Sequence, residues 1–245
     1  MSAAPVREVP LRVVPSPPVL GLRFVFAFAV LAIGPSFVWD VLVKSGIVGE
    51  ASSDRERLEA SMLGWTVTCL CIAGLAKFQL PAMSWRPARY AAVLRAYVPF
   101  VVLWVGFLFA YLALARGIGH PVPPQPALGY LASGDFARPG FWLVVLGTTI
   151  AAPIAEEIVF RGYLQGALLG MLPRWGAIAI SAAVFGAVHT WPYALPVGLL
   201  GALFGWLALR HGSLWPAILA HATHNSATVA ITVLWPGHLD LLYPR

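Results

Sequence analysis

Residues 141–170, FWLVVLGTTIAAPIAEEIVFRGYLQGALLG, form a long apolar stretch that contains Glu156, Glu157 and Arg161. The next acidic residue along the chain is Asp240. A helix of about 20 apolar residues crosses the hydrocarbon core of a bilayer. A charged side chain at that depth costs about 2.5–3.5 kcal/mol even on lenient scales, so it usually marks chemistry or transport. The stretch therefore predicts a polar site inside a bundle of membrane helices.

The composition places the chain among membrane proteins. Of its 245 residues, 59% are hydrophobic and 11% are charged, and the mean hydropathy is +0.78. A soluble domain carries about 25% charged residues. The net charge of +6 comes from Lys and Arg scattered at the ends of apolar segments, which is typical of topology signals and lipid head-group contacts. We therefore predict an all-α, polytopic membrane helix bundle that contacts the lipid bilayer and binds no nucleic acid.

The apolar segments predict about seven to eight transmembrane helices. They cover approximately residues 20–43, 58–75, 96–115, 141–172, 177–189, 193–209 and 214–235. The fourth segment forms either one long helix or two helices joined near Pro153 or Gly162. A Pro-rich loop at 116–139 is either a lid or a linker. We divide the chain into four regions. They are a disordered tail at 1–19, membrane helices with the Pro-rich loop at 20–139, a catalytic membrane core at 140–235 and a short tail at 236–245.

The two glutamates face different directions if their segment is helical. Residues four apart lie on one face, so Glu157 can pair with Arg161. Glu156 is rotated by about 100° and faces another side of the helix. We expect Glu157 to stay charged and structural, while Glu156 takes a proton from water. The alternative is that all three side chains form a buried structural network.

Two histidines follow in later apolar segments. His221 and Asn225 are four residues apart, so both present polar groups to one face, where they could hold a developing oxyanion. His189 is preceded one turn earlier by Phe185, whose ring could wall the same site. A single membrane histidine usually serves helix packing, but two histidines together with a carboxylate favour a functional site. We interpret His224, close to that face, as a neighbour rather than a catalyst.

These patterns together resemble a known family. In order and spacing they are similar to the three motifs of the CPBP (CAAX protease and bacteriocin-processing) intramembrane endopeptidases, also called the ABI or type II CAAX prenyl protease family. The resemblance covers about residues 140–235. The motifs in this chain are Glu156-Glu157-x-x-x-Arg161, Phe185-x-x-x-His189 and His221-x-x-x-Asn225.

The resemblance implies a role for each motif residue. Glu156 and His189 would activate a water molecule for attack on a peptide carbonyl. His221 and Asn225 would stabilise the resulting oxyanion. The other motif residues would support the site, namely Glu157, Arg161 and Phe185.

The cofactor is either none or zinc. Glu156, His189 and His221 could ligate zinc and leave a fourth position open for water. The chain has no His-Glu-x-x-His pattern, which is the common zinc-protease signature. Asn225, one turn from His221, suits an oxyanion role better than a ligand role, and this favours a metal-free mechanism.

We therefore predict an intramembrane endopeptidase that hydrolyses a peptide bond near the membrane face, a multi-pass protein of the prokaryotic inner membrane. An excess of Lys and Arg in alternate connecting segments favours a cytoplasmic N-terminus. The partner of the predicted endopeptidase would be a membrane-associated protein or peptide substrate, such as a prenylated CAAX-like tail, a leader peptide or a C-terminal sorting anchor. Two other classes stay open: a non-catalytic membrane immunity or binding protein of the same family, and a proton-coupled transporter, which usually shows a paired repeat that we do not find.

Overall fold

The computed structural model describes residues 16–47, 49, 51, 53–76 and 84–244, and within them the chain forms nine helices and no β-strand. The helices are α1 Pro17–Lys44, α2 Asp54–Leu75, α3 Tyr90–Gly117, α4 Pro126–Ala132, α5 Pro139–Leu168, α6 Arg174–Ala187, α7 Thr190–His211, α8 Trp215–Leu234 and α9 His238–Leu242. An isolated bridge joins Ser84 to Ser213. The prediction of an all-α bundle is confirmed.

Five of these helices are long and apolar enough to cross a membrane, namely α1, α2, α3, α5 and α7. Helix α6 is apolar but has only 14 residues. Helix α8 has 20 residues but is not among the five, because its two histidines, its asparagine and its hydroxyl side chains lower its hydropathy. The described residues thus confirm a membrane helix bundle but not the predicted count of seven to eight spans.

Both predicted tails contain helical residues. Helix α1 begins at Pro17, within the tail predicted at 1–19, whose first 15 residues lie outside the described part of the chain. Pro is favoured at the first position of a helix because its φ is already helical and its missing N–H needs no partner there. The predicted C-terminal tail, 236–245, contains the short helix α9.

Helix α5 is one helix rather than two, and it contains two π-helical turns, at Gly147–Ala151 and Ile158–Leu164. They flank the α-helical turn Ala152–Glu157, which carries both glutamates. Such turns are frequent at functional sites. Helix α5 is also the most buried of the five candidate spans, since 61% of its apolar window is buried against 6% in α3. It therefore forms the centre of the bundle.

Helices α6 and α7 pack backbone against backbone through glycines. A Cβ atom at Gly186 of α6 would overlap the carbonyl oxygen of Ala194 and would lie 3.0 Å from the Cα of Gly198 in α7. Small residues permit such close approach of membrane helices. The short turn between these two helices carries His189, so the packing of α6 on α7 fixes the position of that histidine.

We expect Gly186→Ala to lower the free energy of unfolding by about 1–3 kcal/mol, because the added methyl group must push α6 away from α7. The matched control is Gly106→Ala in α3, where a Cβ atom meets nothing within 4 Å. Alanine there should be neutral or slightly stabilising, since it favours helix more than glycine does. Thermal unfolding of the purified variants in detergent measures both effects. Equal midpoints for the two variants would contradict the close packing.

Candidate active site

A cavity of about 750 Å³ lies among α3, α5, α7 and α8 and is lined mainly by aromatic and aliphatic side chains. Concave apolar cavities with a few polar groups are the usual form of ligand sites. The polar side chains come from α5, from the α6–α7 turn and from α8, so separate helices bring them together. All four residues expected to carry the chemistry line this cavity: Glu156, His189, His221 and Asn225.

The Pro-rich loop supplies one wall of the cavity, through Leu128 and Leu131 of α4. Glu59 of α2 holds the loop in place, because it accepts hydrogen bonds from the Tyr130 hydroxyl at 2.6 Å and from Nε of Arg138 at 3.1 Å. Burial, together with the bond to Glu59, raises the pKa of Tyr130 to about 12, so its hydroxyl stays a donor. The loop is therefore tied to the bundle in this structure.

Glu156 lies between the two histidines. Its Oε2 atom is 3.9 Å from Nε2 of His189 and 3.9 Å from Nε2 of His221. The residue is only 8% exposed, and among the described residues Oε2 has no hydrogen-bond partner. A separation of 3.9 Å is too long for a direct hydrogen bond. One carboxylate oxygen and two ring nitrogens thus face a common point in the cavity.

Each histidine ring is oriented by a hydrogen bond to its other nitrogen. Nδ1 of His189 lies 2.7 Å from the carbonyl oxygen of Phe185, which can only accept, so Nδ1 carries a hydrogen. Nδ1 of His221 lies 2.9 Å from Oε1 of Glu157, and an ionised carboxylate also only accepts. In the neutral form of each ring, Nε2 is then an acceptor that faces Glu156.

Glu157 joins His221 to Arg161. Its Oε2 atom lies 3.1 Å from Nε of Arg161, so the expected ion pair is present, as a charge contact rather than an aligned hydrogen bond. Arg161 is fully buried, and its Nη2 donates to the carbonyl oxygen of Gly201 in α7 at 2.8 Å. The same Glu157 carboxylate therefore both neutralises Arg161 and orients a histidine of the site, which the sequence pattern does not indicate.

The formal charges of this buried cluster sum to −1 when Glu156, Glu157 and Arg161 are ionised and both imidazoles are neutral. A net charge is unfavourable in surroundings of low dielectric constant. One additional proton, shared by Glu156 and the imidazoles, makes the cluster neutral. On His221 this proton turns Nε2 into a donor, while Nδ1 keeps its bond to Glu157. The arrangement can therefore supply both a base and a hydrogen-bond donor.

Two phenylalanines enclose the charged groups. Phe204 of α7 stacks on the His221 ring, with centroids 4.7 Å apart and planes 16° apart, and Phe185 meets the same ring edge-on at 5.9 Å. The guanidinium carbon of Arg161 lies 4.4 Å from the centroid of Phe185, where the ring face attracts a cation. Phe185 thus walls the site. No sequence pattern indicates Phe204, because a phenylalanine in an apolar helix looks like any core residue.

Asn225 is held by a carbonyl group that the first π-helical turn leaves free. The N–H of Ala152 bonds to the carbonyl of Gly147, five residues back. The next carbonyl, that of Thr148, would need the N–H of Pro153, which proline does not have. Nδ2 of Asn225 donates to the Thr148 carbonyl instead, at 2.9 Å. The second hydrogen of this amide can then serve a ligand in the cavity.

Arg161 and Gln165 bind the backbone of α7 in parallel. While Arg161 donates to Gly201, Nε2 of Gln165 donates to the carbonyl oxygen of Gly205 at 3.1 Å. A Cβ atom at Gly201 would lie 2.9 Å from the Phe185 ring and 3.1 Å from Nη2 of Arg161, so glycine makes room for both. Gln165 is absent from the sequence prediction, although its spacing of four residues from Arg161 is a signal that could have found it.

The three candidate zinc ligands do not fit a zinc ion in this arrangement. Two atoms that each lie about 2.0–2.1 Å from a tetrahedral zinc ion are about 3.4 Å apart. Oε2 of Glu156 is 3.9 Å from Nε2 of both His189 and His221. Within the described ranges, no group of three or more His, Cys, Asp or Glu side chains is arranged to hold a metal ion.

The chain is similar to known proteins, and the similarity includes the residues of this site. Residues 138–227 match the family model described as "Type II CAAX prenyl endopeptidase Rce1-like". A protein of Bacillus subtilis (strain 168), named "Putative membrane peptidase YdiL", is 27% identical over 205 residues, which cover 77% of this chain and 79% of that protein. No solved structure matches the chain significantly. The family match spans all three motifs, and both similarities support the resemblance of this chain to the CPBP family of CAAX-type intramembrane peptidases.

Proposed function

We propose that the chain hydrolyses a peptide bond by direct attack of water, with Glu156 and His189 as the activating groups and with His221 and Asn225 as the oxyanion donors. The observation that carries this proposal is the convergence, inside an apolar cavity, of Oε2 of Glu156 with two histidine Nε2 atoms at 3.9 Å. An apolar cavity holds little water, so these polar groups have few competing hydrogen-bond partners. Their interactions with one another and with a substrate are stronger for that reason.

The spacing around Glu156 suits a water molecule. With hydrogen bonds of about 2.8 Å, a single water oxygen reaches two atoms that are 3.9 Å apart. Glu156 can accept one hydrogen of this water and Nε2 of His189 the other. A base placed within reach of the proton that it removes contributes about 10²–10⁴-fold to the rate of such reactions.

In the proposed reaction, the water oxygen attacks the peptide carbonyl carbon and the water proton passes to Glu156. The carbonyl oxygen becomes an oxyanion, which accepts hydrogen bonds from Nε2–H of protonated His221 and from the second amide hydrogen of Asn225. The C–N bond then breaks, and the proton on Glu156 moves to the leaving nitrogen. Glu157, which Arg161 neutralises, keeps His221 oriented throughout.

The substrate that we propose is a membrane-associated protein or peptide: a prenylated CAAX-like tail, a leader peptide or a C-terminal sorting anchor. A prenyl group and a membrane anchor are apolar, and the cavity is lined mainly by aromatic and aliphatic side chains. We place the protein in a prokaryotic inner membrane with a cytoplasmic N-terminus, in keeping with the distribution of Lys and Arg along the chain.

The purified protein in lipid vesicles, with a quenched fluorogenic peptide that ends in a farnesylated CAAX sequence, tests the proposal. We expect cleavage of one peptide bond, with one oxygen atom from isotopically labelled water in the new carboxyl group. Added hydroxylamine should form no hydroxamate, because no acyl-enzyme precedes the attack of water. Mapping protein termini in cells with and without the chain extends the test to natural substrates. Binding of these peptides by the folded protein without any cleavage would contradict the proposal.

We expect hydrolysis to persist after metal removal, because the candidate ligands lie too far apart for zinc in this arrangement. Protein treated with 1,10-phenanthroline and then desalted should keep its kcat/KM, and elemental analysis should find zinc well below one equivalent per chain. Loss of activity on chelation, with recovery when zinc is added back, would contradict this prediction.

A further inference from the structure

His224 is a polar side chain of the cavity for which the proposed mechanism has no role. It lies on α8, three residues after His221 and next to Asn225, and its ring is half-buried against the cavity. Residues three apart on a helix have Cβ atoms about 5–6 Å apart on the same face. His224 is therefore placed one helical turn from the reacting groups.

The hydroxyl of Tyr97 fixes the tautomer of His224. This hydroxyl lies 3.2 Å from Nδ1 of His224, and Tyr97 is only 5% exposed. A buried hydroxyl hydrogen needs an acceptor, and Nδ1 is the acceptor within reach. When Tyr97 donates to Nδ1, the neutral imidazole carries its hydrogen on Nε2. The ring then offers an N–H donor to the cavity.

Trp104 of α3 holds the plane of the same ring. The His224 ring meets the Trp104 ring edge to face, with centroids 5.0 Å apart and planes 89° apart. Trp104 is itself fixed, because its Nε1 donates to the carbonyl oxygen of Pro196 in α7 at 2.8 Å. A donor that is already held in one orientation loses little conformational entropy when a ligand binds.

A peptide that enters this cavity needs such a donor. For a main-chain carbonyl, leaving water for apolar surroundings without a new hydrogen bond is energetically unfavourable. In an extended peptide, carbonyls on the same side recur every two residues, about 6.6–6.8 Å apart. The Cβ atoms of His221 and His224, about 5–6 Å apart, are separated by slightly less than this repeat. An extended substrate whose scissile carbonyl is near His221 thus brings a second carbonyl near His224.

We propose that Nε2–H of His224, positioned by Tyr97 and Trp104, binds a main-chain carbonyl of the substrate within two residues of the scissile bond. This inference rests on the proposed function, since it assumes a peptide in the cavity. The ligand class is the peptide main chain, so the contact is independent of substrate side chains. His224 thereby contributes to substrate binding and alignment, while the chemistry stays with the other polar residues.

Binding in a Glu156→Gln background tests this inference separately from catalysis. The probe is the farnesylated CAAX peptide, and the measurement is its Kd by fluorescence anisotropy in vesicles. We expect His224→Phe, which keeps a ring on Trp104 but has no donor, to raise Kd about fivefold to thirtyfold, which corresponds to about 1–2 kcal/mol. His224→Gln, which restores an N–H donor, should recover most of this loss. His211→Phe, at an exposed histidine of α7, should change nothing.

Tyr97 provides a second test through a double-mutant cycle. Tyr97→Phe should weaken binding less than His224→Phe does, and in the His224→Phe background it should have no further effect, because it acts only through the tautomer of His224. The double variant removes both partners of one hydrogen bond without changing shape, so it should fold as well as the parent. Independent, additive effects of the two substitutions would overturn the inference.

Three other outcomes would overturn it as well: an unchanged Kd for His224→Phe, failure of His224→Gln to restore binding, or failure of the Glu156→Gln parent to bind the probe. A result in which binding depends on His224 but no peptide is ever cleaved would contradict the proposed function and leave the binding contact standing. The same loss should appear in kcat/KM of the enzyme with Glu156 intact, chiefly as a rise in KM.

Discussion

Replacement of Glu156 by glutamine lowers kcat for peptide hydrolysis by about 10²–10⁴-fold, the usual contribution of a positioned base. The amide keeps the size and shape of the carboxyl group but cannot take the proton that the attacking water gives up. Oε2 of Glu156 is the atom that lies 3.9 Å from both His189 and His221. The measurement is turnover of the farnesylated peptide by protein in vesicles.

The folded state of Glu156→Gln should be at least as stable as that of the parent protein. The substitution removes a buried carboxylate whose Oε2 atom has no hydrogen-bond partner among the described residues, and such a charge is costly to bury. The matched control is Asp40→Asn, which removes an exposed carboxylate of α1 and should leave kcat unchanged. A folded Glu156→Gln protein with undiminished kcat would contradict the role proposed for Glu156.

Contacts within one helix are those that the sequence could predict. Glu157 and Arg161 are four residues apart and form the expected ion pair. His221 and Asn225, also four apart, line one cavity as expected. Side chains at this spacing share a face of any helix, whatever the rest of the bundle does. The resemblance to the family motifs indicated that these helix faces meet at one site, which helical periodicity alone cannot indicate.

The sequence could not predict contacts between helices, because these contacts depend on how closely two backbones approach. The bond from His221 to Glu157 joins residues 64 positions apart. The stacking of Phe204 on His221 joins two different helices, α7 and α8. The bond from Asn225 to Thr148 depends on a π-helical turn, which no residue pattern in the sequence indicates. The structure places these groups together, while their catalytic roles remain those that we propose.

The predicted count of seven to eight spans is not confirmed, for a related reason. Polar residues on α8 face the cavity rather than lipid, and they lower its hydropathy although the helix has 20 residues. Helix α6 has only 14 residues, about 21 Å at 1.5 Å per residue, which is shorter than a hydrocarbon core of about 30 Å. Apolar runs in a sequence therefore do not by themselves fix the number of spans where helices are buried inside a membrane bundle instead of lying against lipid.

Replacement of Arg161 by methionine should strongly destabilise the bundle. Arg161 is fully buried, pairs with Glu157 at 3.1 Å and donates to Gly201 at 2.8 Å. Its removal leaves a buried carboxylate without its cation, which costs about 3–5 kcal/mol. For a chain of this length the loss lowers the unfolding midpoint by about 6–20 °C. Thermal unfolding in detergent measures it, with Arg210→Met at an exposed position of α7 as the control.

A double-mutant cycle separates the two ways in which Arg161→Met lowers stability, namely the unpaired charge on Glu157 and the lost packing of the arginine side chain. In Glu157→Gln/Arg161→Met the buried charge disappears together with its partner, so the double variant should be more stable than Arg161→Met alone, as buried pairs replaced by uncharged groups often are. Activity should nevertheless stay low, because Nδ1 of His221 loses the carboxylate that lies 2.9 Å away and supports the protonated ring. Additive losses of stability in the double variant would mean that the unpaired charge is not the cause. Recovery of stability without recovery of kcat would show that one carboxylate serves both the fold, through Arg161, and the proposed chemistry, through His221.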